Sequence, residues 1–258
     1  MDPNLISPET FQRFLICLAR VGALMGSMPV FSGAQTPVRI KAGLALVFTL
    51  VVFPVVAPLL PHISFEPFTL GVLLIKEAML GAMVGFVARL MFTAVEFGGA
   101  IIGYQMGFAA ANVFDPQNQR QSSLIAQFQS VFAVLIFLAV DGHHLFLRAL
   151  VESFRMLPPG SENLSGAAIP YLMELTSKMF VLAVKLSAPI LSVLLVSALA
   201  MGVMARVFPQ LNVFMLSYPV NIGVSFIVMG LTLNMVALLL AQEFNNAGGR
   251  ILELFSRM

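Results

Sequence analysis

The chain has 258 residues, of which 59% are hydrophobic and only 10% charged, against roughly 25% charged in a soluble globular domain. A net charge of +2 from scattered Lys and Arg residues excludes the clustered basic stripe that nucleic acid requires, and the single Cys17 excludes an internal disulfide or a multi-cysteine metal site. So much apolar side chain would leave a water-facing surface short of polar groups, and the bilayer is the solvent that fits this composition.

Crossing a bilayer core takes about 20 apolar residues at about 1.5 Å rise each. By that ruler six hydrophobic segments follow one another: 11–30, 40–60, 68–106, 124–150, 169–206 and 211–241. The first is expected to remain in the mature protein rather than act as a cleavable leader. Residues 1–10 carry Asp2 and Glu9 in place of a basic region, Arg13 and Arg20 interrupt the apolar run, and no small-residue cleavage signal follows closely. No stretch alternates at period two with regular turns, as a membrane barrel would. The fold class is therefore all-α, an integral membrane helical protein.

Two segments are longer than one crossing needs. Between Pro67 and Pro116 there is no proline, and residues 68–106 would span about 55–60 Å as a helix. The last segment lies in an uncharged run from Val207 to Gln242. Pro209 and Pro219 bracket its first part, so 208–218 is predicted to be a bend or partly buried loop. A final helix then begins near Asn221 and continues past Ala241.

Charges fall inside these segments. Lys76 and Glu77 are adjacent, whereas Arg89 and Glu96, like Lys178 and Lys185, stand seven residues apart and share a helix face. A lipid-facing charge at mid-membrane costs about 2.5–3.5 kcal/mol. These side chains are expected to line a wet cavity, pair across helices or lie outside the hydrocarbon. Glu174 with Lys178 reads equally as an ordinary i,i+4 pair. Because the chain offers few opposite charges, Arg89 and Glu96 are read as contacts to partner subunits, and Lys76, Glu77, Lys178 and Lys185 are grouped with them. Glycines recur at close-packing spacing, at Gly22/Gly26, Gly81/Gly85 and Gly99/Gly103/Gly107, which lets helix backbones approach one another in a membrane.

The third segment runs into a stretch, 107–122, that mixes small, aromatic and amide residues and turns at Asp115-Pro116. It reads either as a surface connection between helices or as irregular backbone lining a cavity, the one setting in which such backbone survives at membrane depth. Methionine is abundant, at 16 residues. A flexible thioether collar would suit an adaptable seal, although most of these residues read as ordinary packing. No motif for metalloprotease, phosphate-loop or serine-hydrolase chemistry is present, so no catalytic residue and no cofactor are assigned. His143 and His144 follow Asp141-Gly142. Adjacent residues on a helix diverge by about 100°, so the pair is assigned a structural helix-start role with Asp141 as N-cap, and no metal site is expected.

The run Phe132-Ala-Val-Leu-Ile-Phe-Leu-Ala-Val-Asp-Gly-His-His144 and its continuation from Leu150 to Pro158 closely resemble the FliR family of flagellar biosynthetic proteins. So do Ala205-Arg-Val-Phe-Pro-Gln-Leu-Asn-Val-Phe214, Arg20-Val-Gly-Ala-Leu-Met25, Met28-Pro-Val-Phe31 and Pro37-Val-Arg-Ile-Lys41. The likeness covers essentially the whole chain, and Asp141 stands where Asn is expected in many members. It implies a single domain over 1–258, with 1–165 FliP-like and 166–258 a FliQ-like helical hairpin. It also implies a subunit of the flagellar type III protein export gate, not an enzyme, assembled with FliP-like and FliQ-like subunits and meeting FlhB and FlhA.

On the same resemblance the protein is a multi-pass component of the bacterial inner membrane within the flagellar basal body. Unfolded export substrates would pass through it, and 107–122 is the plug that closes the channel. Gly107 and Phe108 open that plug. Phe108, Val113 and Phe114 would seal it by apolar contact, Asp115 and Pro116 would turn it, and Asn112, Gln117 and Asn118 would make reversible polar contacts. The rival reading is a stand-alone secondary transporter, which predicts broken helices in corresponding halves. No internal symmetry of that kind is visible in the sequence. A membrane-embedded enzyme would need a convergent acid, base or metal cluster. Arg250 and Arg257 favour a cytoplasmic C-terminus.

Overall fold

A computed structural model describes residues 7–32, 37–60, 66–108, 124–160, 168–210 and 212–258, and among them every regular element is helical. In chain order these are α1 (Pro8–Ser27), a single turn α2 (Pro29–Ser32), α3 (Val38–Val56) with a 3-10 turn (Ala57–Leu59), α4 (Pro67–Gln105), α5 (Leu124–Ala139), α6 (Gly142–Met156), α7 (Ala168–Val207) and α8 (Val213–Ser256). Prolines mark the entries. The Ser7 side chain caps α1 by accepting from the Thr10 amide at 3.2 Å, with Pro8 in the first turn, where its missing N–H costs nothing. Pro37 precedes α3, and Pro67 opens α4.

Among the described residues four helices are long and apolar enough to cross a membrane: α3 with its 3-10 extension, α4, α7 and α8. A fifth is added if α5 and α6 form one broken span. The first sequence segment is not among them, because Arg13 and Arg20 dilute the apolar character of α1. The expected bend over 208–218 is also corrected. Among the described residues the break covers Phe208–Gln210 and Asn212, and α8 already starts at Val213 and runs through Pro219 as one 44-residue helix. A proline amide lost inside a long apolar helix is tolerated where neighbouring groups re-satisfy the freed carbonyl.

The chain forms two compact units. In the first (1–90, 141–175 and 244–258), α1 buries Ile16, Cys17, Val21, Leu24 and Met25. Against it α3 turns one stripe, Ala45, Thr49, Val52 and Val56, at helical spacing. The Phe14 and Phe53 rings meet edge-to-face at 5.6 Å. Gly81 and Gly85 of α4 admit the α1 backbone: a Cβ on Gly81 would sit 2.1 Å from the Arg20 carbonyl oxygen, and one on Gly85 would sit 1.7 Å from Ser27 Oγ. Gly22 and Gly26 share that spacing but have nothing within 4 Å, so they carry no close contact. Tyr171 of α7 donates to Glu253 of α8 at 2.8 Å, and the Arg257 guanidinium pairs with the same carboxylate while lying over the Tyr171 ring.

In the second unit (91–140 and 176–243), α5 buries Ile125, Ala126, Gln129, Ala133 and Phe137 along one face. Gly99 of α4 lets that face come close, since a Cβ there would lie 2.6 Å from Ala126 Cα. Phe92 meets Phe137, and Phe97 meets Phe180, each edge-to-face at 5.6 Å. Near the α7–α8 turn, Ser197 donates to Asn221 Oδ1 at 2.8 Å.

Candidate functional site

The sequence singled out 107–122, of which Gly107 and Phe108 are described; the chain is next described from Leu124. The helix finishes with Met106 donating its amide to the Ile102 carbonyl and Gly107 donating to the Tyr104 carbonyl. Gly107 then adopts φ +96°, the left-handed side that favours glycine. A Cβ at Gly107 would also stand 2.3 Å from the Tyr218 ring, so both backbone and space demand glycine. Phe108 folds onto an apolar cluster of Ile102, Met106, Ile125, Ile190, Leu194 and Met229, joined by Ile222 and Val228. Ile125 belongs to the first turn after the segment. Both feet of 109–123 therefore stand in one oily cluster built by α4, α5, α7 and α8. The expected residues Asn112, Val113, Phe114, Asp115, Pro116, Gln117 and Asn118 lie outside the described residues.

The charged residues divide into different settings. Glu77, grouped with the intersubunit contacts, is instead fully buried inside the chain, where it accepts from Arg20 Nε at 2.6 Å. Arg20 sits on the same α1 stripe as Ile16 and Leu24. It also donates to Ser153 Oγ at 3.1 Å and to the Leu157 carbonyl at 3.0 Å, with its guanidinium 4.0 Å from the Phe154 ring centroid. The planar, multi-donor guanidinium suits such a multiply bonded buried site. In the sequence Arg20 stands out as an interruption of the first apolar segment and as the start of a family-like run, with no partner assigned to it. The available signal was its place on an otherwise apolar helical face, which obliges a buried partner.

Arg89 and Lys185 are exposed, Lys76 is half-buried, and none of the three makes an ion pair among the described residues. Lys178 is exposed as well. Glu96 accepts a long bond from Ser130 and, with Thr93, Phe97, Gln127 and Ser130, lines a cavity of about 520 Å³ in the second unit. An apolar groove of about 720 Å³ runs beside Leu124, Phe128, Val131, Phe226, Met229 and Leu233.

The helix-start reading of Asp141 is half corrected. It does precede α6, but in a left-handed conformation (φ 55°) and without a side-chain capping bond. Its carboxylate lies 3.3 Å from His144 Nδ1 instead. The two histidine rings, expected to diverge, have centroids 4.1 Å apart.

Residues 11–247 match the family described as Bacterial export proteins, family 1. The chain belongs to this family. Among relatives of this export protein, each called flagellar biosynthetic protein FliR, that of Bacillus subtilis (strain 168) is 32% identical over 92% of both chains. Those of Pectobacterium carotovorum subsp. carotovorum and Escherichia coli (strain K12) are 34% and 33% identical, over 87% and 85% of this chain and 85% and 84% of their own lengths. Family membership and the apolar helices together describe an export component that crosses the membrane several times. The resemblance first seen in the Gly-His-His and Pro-Gln-Leu-Asn runs thus extends over nearly the whole export-protein chain.

Proposed function

We propose that this export protein forms and closes part of the conduit through which unfolded flagellar proteins leave the cell. The chain is a subunit of the flagellar type III export apparatus, needed for flagellar biosynthesis. Within that apparatus, 107–122 acts as the plug. The observation that carries this reading is the shared footing of the segment: Phe108 and Met106 on one side and Ile125 on the other pack into a single cluster. A segment held at both ends can fill an opening and withdraw without unravelling the helices that bear it. In this reading Phe108, Val113 and Phe114 seal by apolar contact, and Asn112, Gln117 and Asn118 supply polar contacts that break and re-form.

The partners are FliP-like and FliQ-like subunits in a hetero-oligomeric core, with FlhB and FlhA beside it, in the inner membrane at the flagellar basal body. Residues 1–165 form the FliP-like part. Residues 166–258 form the FliQ-like hairpin, whose two helices are joined by the bonds Tyr171–Glu253 and Ser197–Asn221. Lys76, Arg89, Glu96, Lys178 and Lys185 meet charges on neighbouring subunits. The protein positions and seals, and performs no covalent step.

The test removes residues 112–119 in the assembled complex and records ion conductance across a planar bilayer. Deletion should raise the leak severalfold while the complex still co-purifies. A bilayer as tight as with the intact protein would end the plug assignment.

A further inference from the structure

The Asp-Gly-His-His run brings three donor groups together. Asp141, released from capping by its left-handed backbone, turns its carboxylate to His144. His143 lies alongside, its ring tilted 38° to that of His144. One potential ligand atom from each of Asp141, His143 and His144 falls within 4.8 Å of the other two. Tetrahedral bonds of about 2.0–2.1 Å place ligand atoms roughly 3.3 Å apart, so side-chain rotation alone would close the set. His143 Nδ1 is buried with no hydrogen-bond partner among the described residues, a polar atom that ligation would satisfy.

We propose that Asp141, His143 and His144 form a binding site for a divalent transition ion of the zinc class. Two imidazoles with one carboxylate suit such borderline ions far better than calcium or magnesium, which take oxygen ligands. The Asp141 and His144 side chains are 74% and 62% exposed, so the ion enters from outside and keeps a position open to water. Bound there, it would lock the turn that starts α6.

The test uses the purified export complex, carried on a tag without histidine, with His62, the chain's one other histidine, replaced throughout by His62→Gln. Zinc is titrated by calorimetry, and cobalt by visible absorption, which reports ligand geometry. The expected result is one saturable ion per chain with a cobalt ligand-field band. His144→Ala and Asp141→Asn should each weaken binding about tenfold or more while helix content by circular dichroism stays unchanged. His144 and Asp141 are exposed, so neither change threatens folding. Absence of saturable uptake by the unaltered site, or uptake equal in both variants, would overturn the proposal.

Discussion

Burying an arginine and a glutamate together costs desolvation of both, and removing one partner leaves the other charge stranded in the interior, at about 3–5 kcal/mol. The Arg20–Glu77 pair, with both side chains fully buried, is held by Ser153 and the Leu157 carbonyl as well. Glu77→Ala and Arg20→Ala should therefore each lower the melting temperature of the purified complex strongly. The Arg20→Ala/Glu77→Ala double variant should lose clearly less than the sum. A strictly additive double variant in thermal unfolding would mean that the two charges do not depend on each other. The sequence announced both charges but not their pairing, because 57 positions separate them and helical periodicity carries no information about which stripes meet. Gly107 was readable as the end of the long third apolar segment. That its Cβ would strike Tyr218 was not, since the contact comes from a helix more than a hundred positions away.

Helix limits were the most legible features of the chain. Proline positions and the length of apolar runs placed α3, α4 and α7 within a few residues of where they lie. The misreading of 208–218 came from treating Pro219 as a breaker, a rule drawn from helices whose carbonyls face water. Small-residue spacing was legible as a possibility but not as an address. The pairs Gly22/Gly26 and Gly81/Gly85 look alike in sequence, yet only the second is pressed against another backbone. Gly81→Val should thus part α1 from α4 and sharply lower the yield of folded complex. Gly22→Ala, inside the same helix with open space around the added Cβ, should leave the yield unchanged or slightly raised. Yield by size-exclusion chromatography decides the matter, and equal losses from the two substitutions would contradict the packing described.

Much of the long helices is apolar and uncovered: Met215 and Leu231 of α8 are 73% and 79% exposed, and α3 exposes Leu46, Val47, Leu50, Val51 and Val55. Composition alone foretold that lipid or protein must sheath these faces. Arg89 and Lys185 argue for protein or water over part of the surface, because a lipid-facing charge costs about 2.5–3.5 kcal/mol. What composition could not foretell is that the segment after α4 departs from and returns to one cluster, which brings together residues from four helices.

On the plug reading proposed above, that common mooring has a consequence for leakage. Met229, 6% exposed, belongs to the cluster and also borders the neighbouring groove. Met229→Ala would hollow out the cluster at a cost of about 2–5 kcal/mol and slacken both anchorages together, with the sealing chemistry itself untouched. Ion conductance of the resting complex should rise with this change even though every residue of 107–122 is intact. Tightness would then follow the cohesion of the anchorage, and a membrane left equally tight by Met229→Ala would separate the two.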